Sequence, residues 1–162
     1  MHETAGTLTL DRTDLRLLAL LQREGRATNA DIAAQVNLSP SACLRRIQRL
    51  EAAGVIAGYA ARVEPKAVGL GLQAFVRVQL EKHGQASIDR FGDSVQDWDE
   101  VVACYALTGD MDYLLHVVVQ DLEHFSRFLL DRLLNATGVA DVNSSFVLRA
   151  VKTFGGLPLP KG

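Results

Sequence analysis

Apolar positions in the first third of the chain recur at helical spacing. From Asp11 to Glu24, Leu17, Leu18 and Leu21 form a stripe that Leu15 and Leu20 widen, and Gly25 supplies a stop. Thr28 predicts the cap of a second helix, with Asp31 at capping-box spacing and Ile32, Ala33 and Val36 as its inward face. Asn37 and Leu38 make a turn. Ser39 caps a third helix with Pro40 at its first position, where a missing N–H costs nothing; the helix runs to about Ala53 before Gly54 ends it. On this third helix Cys43, Leu44, Ile47 and Leu50 fall on one side. Ser41, Arg45, Gln48 and Arg49 fall opposite, with Arg46 on the flank. Val55 to Val63 reads as strand with a turn at Gly58, which adds a small wing to the three helices.

The segment from Glu64 to Gly71, with Pro65, Gly69 and Gly71, reads as a linker, and beyond it the pattern changes. Leu72–Glu81 alternates as a strand through Phe75, Val76, Val78 and Leu80, and Gln85–Val95 is helical. Val101–Thr108 and Tyr113–Val119 are strands joined by a tight loop, Gly109 to Asp112. Leu122–Leu134 is an amphipathic helix and Asp141–Val151 a fourth strand. The order β-α-β-β-α-β is the ferredoxin-like one. The expected fold class is therefore α+β: a winged helix-turn-helix over 1–63, a hinge over 64–71 and a ferredoxin-like domain over 72–162. Two helices cover one face of such a sheet, so the apolar strands 72–80 and 101–107 call for a partner on the other, and a twofold dimer is expected. The alternation Thr7-Leu8-Thr9-Leu10 fits a further strand across that dimer or a disordered arm.

Composition narrows the class. The chain has 162 residues, 48% of them hydrophobic, enough for one medium domain or two small ones with real cores. No apolar run approaches the roughly 20 residues that cross a bilayer. Met1 to Leu10 is neither basic nor continuously apolar, so a cytoplasmic location is expected, without a membrane partner. Cys43 and Cys104 lack metal-site spacing and read as reduced, packed thiols. The net charge of -2 conceals a division: residues 39 to 62 hold four Arg against one acid, Glu51. A small basic face on a mildly acidic protein results.

Two elements could carry chemistry. Arg spans guanine O6 and N7 with two hydrogen bonds and Gln does the same for adenine, so the polar face of the third helix suits base reading; the alternative is a solvated Arg-rich face. In Thr108-Gly109-Asp110-Met111-Asp112-Tyr113, a Gly leaves backbone N–H groups open to a carboxylate while an Asp can hold an ammonium. That pairing suits a zwitterionic amino acid, although Gly-Asp is also an ordinary hairpin turn. Enzyme readings fare poorly. Asp110 and Asp112 resemble solvated turn acids, no nucleophile–base pair stands out, and His2, His83, His116 and His124 show no i,i+4 metal pairing. No phosphate-binding glycine motif is present, and neither a catalytic residue, a metal nor a cofactor is expected. Asp97, Asp99 and Glu100 beside Trp98 read as a polar loop, and His116 as a core or interface side chain.

From about Leu10 onward the chain resembles the Lrp/AsnC family of leucine- and asparagine-responsive regulators. The resemblance rests on LDRTDLRLLALLQREGR (10–26), LSPSACLRRIQRLEAAGVIAGY (38–59), LTGDMDYLL (107–115) and the terminal GLPLP, in that order. It implies a transcription regulator in which a winged helix-turn-helix binds double-stranded DNA through Ser39, Ser41, Arg45, Arg46, Gln48, Arg49 and Arg62. Arg45 and Arg49 are the expected base readers, Arg46 and Arg62 the phosphate contacts. It also implies a ligand domain that dimerises through its sheet, assembles dimers to an octamer, and binds a small amino acid between dimers. The implied effector residues are Leu107, Gly109, Asp110, Met111, Asp112, Asp141 and Ser145, with Asp112 the first choice for the ammonium. The run Asp110 to Tyr113 is more similar to the leucine-responsive type, which points to leucine or methionine, while Thr137 stands where such members often have Pro. An architectural DNA-compacting protein without an effector is the alternative function.

Overall fold

The structure, a computed structural model, describes residues 8–81 and 85–160, with backbone alone for residues 85–87. The chain forms two compact units: the described residues up to Arg62 together with those from Lys152 to Pro160, and Val63–Val151. The expected division at 64–71 thus falls near Val63, and the chain end groups with the first unit instead of with the sheet.

In the first unit α1 spans Arg12–Arg23, α2 Asn29–Gln35 and α3 Pro40–Ala52. Each starts on a side-chain cap: Asp11 accepts from the backbone of Asp14, Thr28 from Asp31 and Ser39 from Ala42. Asp11 and Asp14 cap each other reciprocally, a capping box that the leucine periodicity does not reveal. Leu17, Leu20, Ile32, Ala33, Val36, Cys43 and Ile47 pack into one core, with Leu50 fully buried as well. Leu44, expected in that seam, is instead 45% exposed, because it lies at the edge of the buried sector of α3.

The expected wing strand does not form. Residues 57–64 carry no regular structure and all are exposed, and no other described segment pairs with them as a strand. Residues 8–10 form no strand either, and Thr7 lies outside the described residues. The chain end is held on α1 by one side chain: Gln22 donates from Nε2 to the Leu157 carbonyl at 3.3 Å and accepts from the Leu157 N–H. Gly156 precedes this contact at φ 117°, where any other residue would be strained, and a Cβ there would meet the Gln22 side chain at 2.9 Å and oblige it to shift.

In the second unit a 3-10 turn, Pro65–Val68, leads into β1 (Leu72–Leu80), followed by α4 (Gln85–Gln96), β2 (Val101–Ala106), β3 (Tyr113–Val119), α5 (Leu122–Arg127) and β4 (Val139–Phe146). The antiparallel sheet has the order β2-β3-β1-β4, as the ferredoxin-like pattern requires. Ala74, Val76, Val78 and Leu80 of β1, with Tyr113, Leu115, Val117 and Val119 of β3, point to the helix-covered face. Phe91 and Val95 of α4 and Phe125 of α5 close over them. Trp98 joins this core rather than a solvated loop, edge-on to Phe91 at 5.9 Å and to Phe128 at 5.6 Å.

After Arg127 the last helix widens into a π segment, Phe128–Leu133, in which the Leu134 N–H reaches back five residues to Leu129. The sequence explains the irregularity. An α-helical turn from Phe128 would bring Arg132 to the core, whereas one extra residue buries Leu133 completely and leaves Arg132 on the surface, 2.9 Å from Glu100. Glu100, expected as a loop acid, is thereby a nearly buried partner for Arg132 and His124. The last strand begins two residues earlier than Asp141 and ends at Phe146, five short of Val151.

Candidate DNA-binding face and effector loop

Helix α3 presents two strips of polar side chains. Ser41, Arg45 and Gln48 are all exposed and fall within about 60° of one another around the helix. Arg49 and Arg46 follow on the flank that faces α1. Together Arg45, Arg46 and Arg49 line an open recess of about 370 Å³ with Leu38 and Ala42. Ser39 stands at the helix start, its hydroxyl 3.3 Å from that of Ser41. Arg62 is exposed in the irregular 57–64 segment.

The two flank guanidiniums have a fixed partner. Asp14 of α1 is fully buried, the one buried charged residue among those described. Arg46 Nη1 donates to Asp14 Oδ1 at 2.8 Å and to Asp11 Oδ2 at 2.7 Å, while Arg49 Nη2 donates to Asp14 Oδ2. The Asp11 backbone N–H adds a further bond to Asp14 Oδ2 at 3.1 Å. The Asp11 carboxyl is held below the usual range by the Asp14 N–H and then by Arg46. Arg49, read from sequence as a base-reading side chain, is thus tied to a buried carboxylate of its own chain. A buried carboxylate demands such partners. The signal for it was present: Asp14 precedes Leu17, Leu18 and Leu21 by three, four and seven positions, which places it on the same inward stripe.

In the second unit the loop between β2 and β3 sits at one end of the sheet. Gly109 has φ 114°, which only glycine adopts without strain. Asp110 is exposed and Met111 half-buried. Asp112 is built into the fold: its Oδ2 accepts from the Leu80 N–H at 2.7 Å, its own N–H reaches the Val78 carbonyl, and its carbonyl accepts from Leu107. Asp141 pairs with Gln79 across β1, so it reaches the same end of the sheet, roughly 10 Å from Asp112 across two strand spacings. Ser145 does not reach it. It pairs with Phe75, four positions along, ~13 Å from that end.

Residues 73–157 match a family described as the Lrp/AsnC ligand binding domain, and residues 10–57 match a winged helix-turn-helix DNA-binding domain. The Bkd operon transcriptional regulator of Pseudomonas aeruginosa is 39% identical, over 93% of this chain and 98% of its own length. The chain belongs to the Lrp/AsnC family. The leucine-responsive regulatory protein of Escherichia coli K12 is 36% identical over 88% of this chain and 87% of its own. Among solved structures, the L-methionine complex of a transcriptional regulator from Neisseria meningitidis superposes with a TM-score of 0.89 and 48% identity, covering 93% of this chain and 97% of that one. An AsnC family transcriptional regulator from Agrobacterium tumefaciens follows at 0.87 and 36%, covering 92% and 97%.

As an Lrp/AsnC protein the chain is a transcription regulator with a DNA-binding helix-turn-helix and a ligand-binding ferredoxin-like domain, and not an enzyme. No described helix is long and apolar enough to cross a membrane. Burial raises the pKa of both Cys43 and Cys104, which keeps each thiol protonated and slow to react. The uncovered face of the Lrp/AsnC sheet carries Tyr105, Leu114, His116 and Phe75 on its β2–β3–β1 side and Arg77, Asn143 and Asp141 toward β4. His116 stacks on Phe75 at 4.7 Å and bonds Gln73 at 3.2 Å.

Proposed function

We propose that this regulator binds DNA sequence-specifically in the cytoplasm and that its DNA binding or assembly responds to methionine or leucine. The observation that carries this reading is the 48% identity to a regulator whose structure holds L-methionine. The loop chemistry supports it: an amino acid needs a fixed negative charge for its ammonium and converging N–H donors for its carboxylate. Asp110 and the backbone around Gly109 supply these, Leu107 and Met111 offer apolar surface, and Asp141 adds a second acid at that end. Asp112 acts there mainly by holding the loop to β1, and Ser145 is left out of the pocket. On the DNA side, Ser39, Ser41, Arg45 and Gln48 face the groove and Arg62 a phosphate.

Calorimetry tests the effector. L-Methionine or L-leucine should bind the wild type, and Asp110→Asn should weaken binding about tenfold, as loss of one charge-assisted bond does. Unchanged affinity removes Asp110 from the site. Absence of binding by any of the twenty amino acids favours an architectural DNA-compacting protein instead.

We further propose a homodimer through the uncovered sheet face, assembling toward an octamer. The exposed aromatic surface of Phe75 and Tyr105, 40% and 57% exposed, supports it. Burial within the single subunit already lowers the pKa of His116, so its neutral form belongs to the folded state, and covering this face would bury it further. The sign follows: stability from this group is complete above the ordinary histidine pKa of about 6.5 and declines as pH falls below it. Sedimentation should show the assembly at about pH 7.5 weakening toward about pH 5.5, with His116→Gln flattening the dependence. A micromolar monomer at the higher pH contradicts the dimer, and an unaltered profile in the variant contradicts the role of His116.

A further inference from the structure

We infer that Asp14 is a positioning residue that divides the arginines of α3, holding Arg46 and Arg49 as struts so that Arg45 and Gln48 alone read bases. The inference deepens the proposed DNA-binding face and rests on α3 being the helix that enters the groove. Three observations converge on it. Asp14 is completely buried, yet it lies one turn from the end of a helix whose neighbours on the same stripe are leucines. It takes both of its carboxylate oxygens to different arginines of another helix, 32 and 35 positions away in the chain. And those two arginines remain 30% and 44% exposed beside the recess that Arg45 shares, so among the described residues it is Asp14 and Asp11 that keep their charge from the DNA.

The physical consequence is twofold. Two guanidiniums fixed on one carboxylate set the rotation of α3 against α1, which determines which side chains point outward at base-edge distance. Discrimination falls when supporting geometry is loosened, even where every reading side chain is intact. The same pairing withholds positive charge. A guanidinium neutralised internally releases few counterions on binding, so the salt dependence of DNA affinity is shallower than the three arginines of α3 would otherwise give.

The test is Asp14→Asn, which keeps size and shape but removes the charge that draws Arg49 inward. The probes are a duplex enriched by wild-type protein from a randomised pool and a random-sequence duplex of equal length, each titrated over a range of salt, with a melting curve for every variant. In Asp14→Asn the freed arginine reaches phosphate. Affinity for the random duplex should rise several-fold at low salt, the slope of log K against log salt should steepen by about 1, and the preference for the enriched duplex should fall about tenfold. A merely structural role would lower the melting temperature and leave slope and preference where they were, and that result overturns the inference. Should Asp14→Asn fail to fold, Arg49→Ala and Arg45→Ala decide it. Arg49→Ala should leave the salt slope unchanged and reduce preference less than threefold, against tenfold or more for Arg45→Ala; the reverse ordering overturns it. If the wild type binds neither duplex, the DNA-binding reading of α3 itself fails, an outcome separate from these.

Discussion

Arg45→Ala should weaken binding to a preferred DNA site by about 1–3 kcal/mol while barely changing binding to random duplex. Arg45 lies at the centre of the exposed strip of α3, between Ser41 and Gln48, and has no ion-pair partner among the described residues. Its two flank neighbours are tied to Asp14, so it is the cation of α3 left to make a two-pronged contact with a guanine edge. Side-by-side titrations on enriched and random duplexes at one salt concentration measure the difference. Equal weakening on both would identify Arg45 as a phosphate contact. Arg62→Ala should show that second pattern, with a salt slope reduced by about 1.

Phe128→Ala should destabilise the second unit by about 3–5 kcal/mol. Phe128 is 2% exposed and meets Trp98 edge-on at 5.6 Å and Phe125 at 6.5 Å. It also begins the π segment, so the cavity opens where the helix is already irregular and backbone collapse into it would sacrifice the burial of Leu133. Chemical denaturation followed by tryptophan fluorescence reads this directly, because Trp98 is the only tryptophan and lies in the affected core. A loss below about 1 kcal/mol would mean that the site closes over the missing ring. Leu134→Ala, at a position 47% exposed, serves as the control and should cost much less.

Order and type of the elements were legible in the residues because their signals are local. A cap acts across three residues, as Ser39 does on Ala42, a leucine stripe repeats every three or four, and strand alternation repeats every two. Hence the three helices, the β-α-β-β-α-β order and the polar face of α3 could all be read before any contact was known, and the family motifs lie on those same elements. What depended on partners distant in the chain could not. Asp14 reads as a first-turn acid until Arg46 and Arg49 are brought over it, 32 and 35 residues later. The segment 57–64 has strand-like residues, but a strand exists only where another backbone completes its ladder, and no described segment does so here. The helix after Leu122 keeps an even period on paper. Only packing against the sheet decides that Leu133 rather than Arg132 turns inward, because burying an unpaired guanidinium costs more than one distorted turn. The same holds for the effector loop: its residue types suit an amino acid, but register alone brings Asp141 to that end of the sheet, strands Ser145 ~13 Å away, and engages Asp112 with Leu80.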